Sequence, residues 1–142
     1  MTFSKAGIFG LLSLLLVGCS GTGTSDYTFV APVIDNDQKG KVFVRRETGF
    51  AQLVVYDVNL NGTKVGELGS GEMLVANANV GKNFLQIKPT GMSSIGLNSP
   101  MSEFSNDGNQ NNFFILGAKM GMLKNEITML ETTEDSWKKQ SQ

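Results

Sequence analysis

Val58-Asn59-Leu60-Asn61-Gly62-Thr63-Lys64-Val65-Gly66-Glu67-Leu68 is the stretch whose reading decides the fold. Asn-Gly between two strand-like runs is the strongest short-range hairpin signal, because both residues accept the positive φ of a two-residue turn. Gln52 to Leu60 therefore reads as an incoming strand and Thr63 to Leu68 as its return. Upstream, Lys41 to Glu47 alternates β-branched, aromatic and charged residues and reads as another strand. Tyr27 to Ile34 is a first strand or extended approach, pushed towards an edge by Pro32, and Asp35 to Gly40 is a polar turn. Downstream, Met73 to Val80 and Asn83 to Lys88 read as a further pair joined through Gly81. Gly91 to Asp107 is less regular and contains Pro100, Asn106 to Asn112 is a loop, and Phe113 to Lys119 and Ile127 to Leu130 close the set. Strands at roughly 8–12-residue spacing with turn signals between them predict an all-β, antiparallel β-sandwich. Helical periodicity is confined to the tail, where Thr133 can cap a short C-terminal helix through Gln140 that packs on the sheet by Trp137.

The first residues carry a different pattern. Met1 to Lys5 holds one positive charge, and Ala6 to Val17 is a weakly polar to apolar run, the n-region and h-region of a secretory signal helix. Twelve helical residues reach about 18 Å, short of the roughly 30 Å of a bilayer core, so a permanent span is a poor reading. Leu16-Val17-Gly18-Cys19 resembles the lipobox of bacterial lipoprotein precursors, in which a small residue precedes the cysteine that is acylated. Residues 1–18 are thus expected to be a lipoprotein signal peptide, 19–38 the lipidated Cys19 with a flexible tether, and 39–142 the sandwich. The polar run Ser20-Gly-Thr-Gly-Thr-Ser-Asp26 suits a tether. Several acyl chains on one cysteine give stable anchoring where one would be marginal. Ser20 is not the aspartate that retains enteric lipoproteins in the inner membrane. The expected address is the periplasmic face of the bacterial outer membrane.

Composition excludes several kinds of chemistry. The chain has no histidine, so Ser-His-Asp triads and His-ligated metals are impossible within it. Cys19 is the only cysteine, which removes intramolecular disulfides and any thiol nucleophile in the folded part. A formal charge of −1 gives no footprint for nucleic acid. No cofactor, metal site or catalytic residue is expected, and the expected partners are the membrane, through the N-terminal lipid, and an envelope protein.

Several landmarks resemble a family of bacterial lipoproteins classed as domain of unknown function 2846. They are Gly40-Lys41-Val42-Phe43-Val44-Arg45-Arg46, the hairpin quoted above with its Lys64-Val65-Gly66 return, Gly71-Glu72-Met73, Val80-Gly81-Lys82-Asn83-Phe84-Leu85, and Phe113-Phe114 with a polar helical tail. The resemblance spans residues 39–140. It departs at Met73, where the family has an aromatic, and at Val80, where it has a proline. It implies an immunoglobulin-like or transthyretin-like sandwich on a lipid tether, and it carries over no catalytic residues.

Five constellations bear on function. Arg45 and Arg46 point to opposite faces of one strand; a guanidinium there can clamp a carboxylate or phosphate, but one solvated and one snorkelling or cross-strand-paired arginine is expected. Asp57, Glu67, Glu72 and Glu103 offer the carboxylates a cell-wall glycosidase needs, yet nothing in their spacing brings a pair together. Asp107-Gly108-Asn109 lacks the further acidic ligands of a calcium loop and reads as solvated. Phe113 to Leu116 reads as a central strand buried on both faces ahead of a partner-accepting edge. Met101, Met120, Met122 and Met129 read as core gap-fillers ahead of a binding surface.

Overall fold

The computed structural model describes residues 24–25, 39–49 and 52–139. The signal helix, the lipobox Leu16-Val17-Gly18, Cys19 and the Tyr27–Ile34 strand fall outside these residues. The strands are β1 (Thr24–Ser25), β2 (Lys41–Arg46), β3 (Val55–Leu60), β4 (Thr63–Leu68), β5 (Glu72–Asn77), β6 (Gly81–Thr90), β7 (Met101–Asn106), β8 (Asn112–Met120) and β9 (Asn125–Thr132). A single turn of 3-10 helix spans Met92–Ser94, and α1 is Glu134–Lys139.

The quoted hairpin forms as read. Asn61 has φ 52° and Gly62 φ 83°, so both central residues take the positive φ that lets the turn follow the strands' twist. Thr63 pairs with Leu60 and Lys64 with Asn59. The register then shifts beyond Asn59, and Val58 faces Gly66 instead of Val65. One extra residue on β4 makes this a β-bulge, and it swaps which side chains of β4 lie on each face.

The strands form an all-β fold of two sheets. One has the order β1-β5-β2-β8-β9 and the other β4-β3-β6-β7. Discounting two-residue β1, each sheet has four strands. All pairings are antiparallel except one: β2 runs parallel to β8, with Val42 opposite Asn112 and Arg46 opposite Leu116. The expected antiparallel sandwich therefore needs this correction. The segments read as a pair through Gly81 are not partners either: β5 joins β2 in one sheet and β6 joins β3 in the other. The Gly91–Asp107 stretch holds a strand that the pattern hid, because β7 alternates exposed polar residues with only Phe104 and Asn106 buried.

Alternation explains the core. Val42, Val44, Phe114, Leu116 and Ile127 from one sheet meet Tyr56, Val58, Leu60, Leu85, Ile87 and Phe104 from the other. Phe104 and Phe114 touch across the layer edge-to-face, with ring centroids 5.2 Å apart. β2 and β8 are buried on their outer face as well. Phe43, Phe113 and Ile115 point outwards and are roofed by Trp137 of α1. Phe43 stacks on Phe113 at 5.0 Å, and Trp137 lies 5.8 Å and 5.6 Å from those two rings. Thr133 Oγ1 accepts from Ser136 N–H at 3.3 Å, the N-cap the sequence offers, and Glu134 pairs with Lys138 one turn on at 2.6 Å.

Six residues of helix have negligible stability in isolation, so Trp137 is what fixes α1. Trp137→Ala should lower unfolding free energy by about 3–5 kcal/mol, the usual cost of emptying a buried aromatic site. Urea denaturation followed by circular dichroism measures this; a loss below about 1 kcal/mol would mean that the tail is not part of the cooperative unit.

Candidate functional site

Both arginines of β2 are buried, which corrects the expectation that one is solvated. Arg46 shares the inner face with Val42 and Val44. Its guanidinium lies 3.9 Å from the centre of the Tyr56 ring, and its Nη1 donates to the main-chain carbonyls of Val54 and, at 3.3 Å, Leu68. The negative charge of Glu72 acts on it from β5. Arg45 points the other way, beneath α1, 5.6 Å from the centre of Trp137 and in the field of Glu47. Burial draws the pKa of both guanidiniums below the ordinary value, with Glu47 opposing this at Arg45, and Tyr56 and Glu72 at Arg46. Desolvation pushes the Tyr56 phenol above its ordinary 10.0, with Arg46 pulling against it. This is a structural polar centre tying β2, β3 and β4 together at one end of the sandwich, not an outward clamp.

The four carboxylates have separate fates. Glu72 is buried, and its Oε2 accepts from Gly69 N–H at 2.8 Å, closing the β4–β5 turn. Glu103 is exposed on β7 and ion-paired to Lys82 at 2.8 Å. Asp57 and Glu67, however, are direct cross-strand partners. Lys64 bridges them, 2.9 Å from Asp57 and also hydrogen-bonded to Glu67. That pair overturns the reading that no two carboxylates meet. The bulge is the reason: without it Asp57 would face Gly66, and Glu67 would point to the other side of the sheet. The Glu67 and Asp57 hydrogen bonds hold the Lys64 ammonium above the usual lysine range. The cluster lies on the outer face of its sheet, and Lys64 fills the gap between the two carboxylates.

Asparagines staple the end of the sandwich that holds the Asn61-Gly62 turn. Asn83 is fully buried, accepts from Asn61 Nδ2 at 2.9 Å and Asn79 N–H at 3.0 Å, and donates to the Asn79 and Gly81 carbonyls at 2.8 and 3.0 Å. Asn106 donates to Asn112 Oδ1 at 2.8 Å and to the Gln110 carbonyl at 3.0 Å, and Asn112 donates to Glu131 at 3.1 Å. In the neighbouring loop Asp107 Oδ1 accepts from the N–H groups of Asn109 and Gln110 at 2.8 and 3.1 Å, so this carboxylate closes a turn. Among the described residues no group of three or more acidic, histidine or cysteine side chains is placed to hold a metal ion.

Phe113 to Leu116 is the inner strand that the sequence indicates. Of the four methionines read as gap-fillers, Met129 packs against the core as expected, whereas Met101, Met120 and Met122 are exposed. Met120 ends β8 and Met122 lies in the β8–β9 turn, where Met122 and Leu123 sit beside Ile95 and Leu97 of the β6–β7 connection. A turn filled with apolar residues where polar ones are usual was the available signal.

Comparison with family models, with characterised proteins and with solved structures finds no match.

Two measurements check the polar centre. In a Tyr27→Phe background, tyrosinate absorbance reports Tyr56 alone, since the chain has two tyrosines. A phenol raised above 10.0 contributes stability that is complete below that pH and is lost as pH rises through the folded value. Tyr56 should therefore ionise above the ordinary tyrosine range, together with alkaline unfolding; titration near 10 in the folded protein would show that the phenol is not buried. Arg46→Ala should cost about 3 kcal/mol by urea denaturation, because buried carbonyls lose their donor and the Tyr56 ring its cover.

Proposed function

We propose that this chain is a membrane-anchored periplasmic lipoprotein, acylated at Cys19 and exposed at the inner surface of the bacterial outer membrane, whose folded part is a non-enzymatic interaction or envelope-assembly module. The observation that carries the reading is Leu16-Val17-Gly18-Cys19 at the end of a twelve-residue apolar run, with that cysteine the only one in the chain. Cleavage before Cys19 leaves a polar tether and then the sandwich. The absence of histidine and of a second thiol favours binding over catalysis.

The resemblance to the domain of unknown function 2846 lipoproteins belongs to the same proposal and rests on the residues quoted for it. Of the two sandwich types it implies, we favour the transthyretin-like one. An immunoglobulin sandwich keeps its first two strands in one sheet. Setting aside two-residue β1, the first two strands here, β2 and β3, lie in opposite sheets, and the order β5-β2-β8-β9 contains a parallel pair.

A carboxylate enzyme or ligand binder acting on cell-wall or small envelope molecules is the competing reading. One observation favours it, the cross-strand pair of Asp57 and Glu67. Against it, Lys64 stands between the two oxygens where a scissile bond would sit.

Replacing the thiol tests the proposal. Cys19→Ser should abolish incorporation of labelled palmitate and leave residues 1–18 attached, so that the chain runs larger on a gel than the processed wild type. Normal processing of this variant, or a wild-type protein that never takes up palmitate, would refute it. In vivo crosslinking of the native form should then capture an envelope protein.

A further inference from the structure

The two ends of the sandwich differ in chemistry. The end where β2 stops exposes apolar side chains, Met120, Met122 and Leu123 among them, and the end where β2 starts is rich in amides. At the amide-rich end, the residues ahead of β2, the β7–β8 loop and the junction of β9 with α1 surround an open cavity of about 310 Å³. Ligand clefts run from about 300 to 1,000 Å³, so this one is sized for a small ligand.

The loop that forms one wall is held by hydrogen bonds to its main chain. Buried Asn106 accepts from Gly108 N–H at 2.7 Å and donates to the Gln110 carbonyl, which also accepts from Gly40 N–H at 3.1 Å. Asp107 accepts from the N–H groups of Asn109 and Gln110, and Asn111 Oδ1 accepts from Lys41 N–H at 3.0 Å. None of these bonds uses the side chains of Asn109 and Gln110 or the amide nitrogen of Asn111. Polar side chains without a structural task, on a loop fixed by a rigid scaffold, are placed for recognition.

The remaining lining sets the chemistry of the ligand. Thr133 and Glu134 are engaged within α1, with Ser136 and Lys138. Lys39 is exposed and stands in no ion pair among the described residues. What stays open is a set of amides and the Thr132 hydroxyl, which donate and accept, together with one surplus cation. Phe113 is the apolar residue of the lining and is only 3 % exposed, so an acyl chain or an apolar peptide side chain finds no surface to cover. A ligand polar around its whole perimeter fits, with hydroxyls for the amides and one acid for the ammonium. Among the described residues lining the cavity Glu134 is the single carboxylate, whereas cutting a glycosidic bond takes a pair. The chemistry is that of holding a sugar.

We infer that this cavity binds a small saccharide bearing a carboxylate, with Lys39 on the acid and Asn109, Gln110 and Thr132 on the hydroxyls. The site needs neither the Cys19 lipid nor a protein partner, so it adds ligand recognition to the proposed module and stands or falls separately from the anchor.

The test is a nuclear magnetic resonance titration of the full isotope-labelled protein, kept in detergent at constant pH. The probes are glucuronic acid, galacturonic acid and N-acetylmuramic acid, each beside its neutral counterpart, glucose, galactose or N-acetylglucosamine. At least one acid should move the side-chain amide signals of Asn109, Gln110 and Asn111 along a saturable curve with a Kd on the order of 1 mM. Its neutral counterpart should bind roughly fivefold more weakly, the upper worth of an exposed ion pair. Lys39→Gln should abolish that difference and leave the neutral sugar's affinity unchanged. Asn109→Ala combined with Gln110→Ala should weaken both sugars about tenfold, while the loop keeps its form because Asp107 bonds to the main chain. The absence of a saturable shift with every sugar, up to the highest concentration that stays in solution, overturns the inference. Equal affinity for acid and neutral sugar, unmoved by Lys39→Gln, overturns the acidic ligand. Saturation by acetate at the same strength reduces the site to a cation that attracts any anion, and overturns it as well.

Discussion

The parallel pairing of β2 with β8 is the constraint from which the rest of the structure follows. Parallel strands cannot be joined by a tight turn, and here the crossover contains the whole second sheet, between Arg46 and Asn112. Closing that pair brings the two layers face to face. It also leaves two adjacent strands at the centre of a sheet with apolar residues on both sides: Val42, Val44, Phe114 and Leu116 inwards, Phe43, Phe113 and Ile115 outwards. A sandwich alone covers only the inner set. α1 supplies the missing roof with one residue, Trp137, the contact by which the sequence reading packs the tail on the sheet. Contacts of such long sequence separation make for slow folding, because loop entropy opposes them before any burial rewards them.

Burying two arginines in a domain without a disulfide looks costly, and the geometry shows how the cost is met. Arg46 sits where β2 ends and the chain leaves for the other sheet, and it reaches the carbonyls of Val54 and Leu68 across the layer gap. A guanidinium satisfies several such acceptors at once and still offers a flat face to Tyr56. The asparagines do the same at the other end with a neutral group, donating and accepting in fixed directions. Even an edge is treated this way. Asn98 both donates to the carbonyl of Ile127, at 3.0 Å, and accepts from its N–H, at 2.6 Å, so a side-chain amide occupies part of the outer edge of β9 where another chain could pair.

Much of this was legible in the residues. The Asn61-Gly62 hairpin, the inner position of Phe113 to Leu116 and the Thr133-capped helix each followed from a local rule with one physical cause. What escaped was non-local. Consecutive strands such as β5 and β6 carry no mark of which sheet they will join, so they read as a hairpin when each pairs elsewhere. β7 was hidden because an edge strand with few buried positions resembles a loop in composition. The Asp57–Glu67 pair needed the bulge at Val65, and no residue type announces a bulge there. Met101, Met120 and Met122 differ from Met129 for another reason: hydrophobicity speaks for burial on average, but only position in the fold separates a core methionine from an exposed one.

The apolar end differs from the rest of the surface in what it exposes. Met122 and Leu123 add nothing to the core, and in a freely diffusing protein such residues promote association and favour aggregation. Polar residues fit the other faces on the same logic. The outer face of the β4-β3-β6-β7 sheet bears the Asp57–Lys64–Glu67 cluster and the Lys82–Glu103 pair, charges that water keeps solvated and that lipid would not accept. Exposed apolar side chains thus gather at one end of the sandwich, and the ion-paired charges of this sheet stay on its outer face.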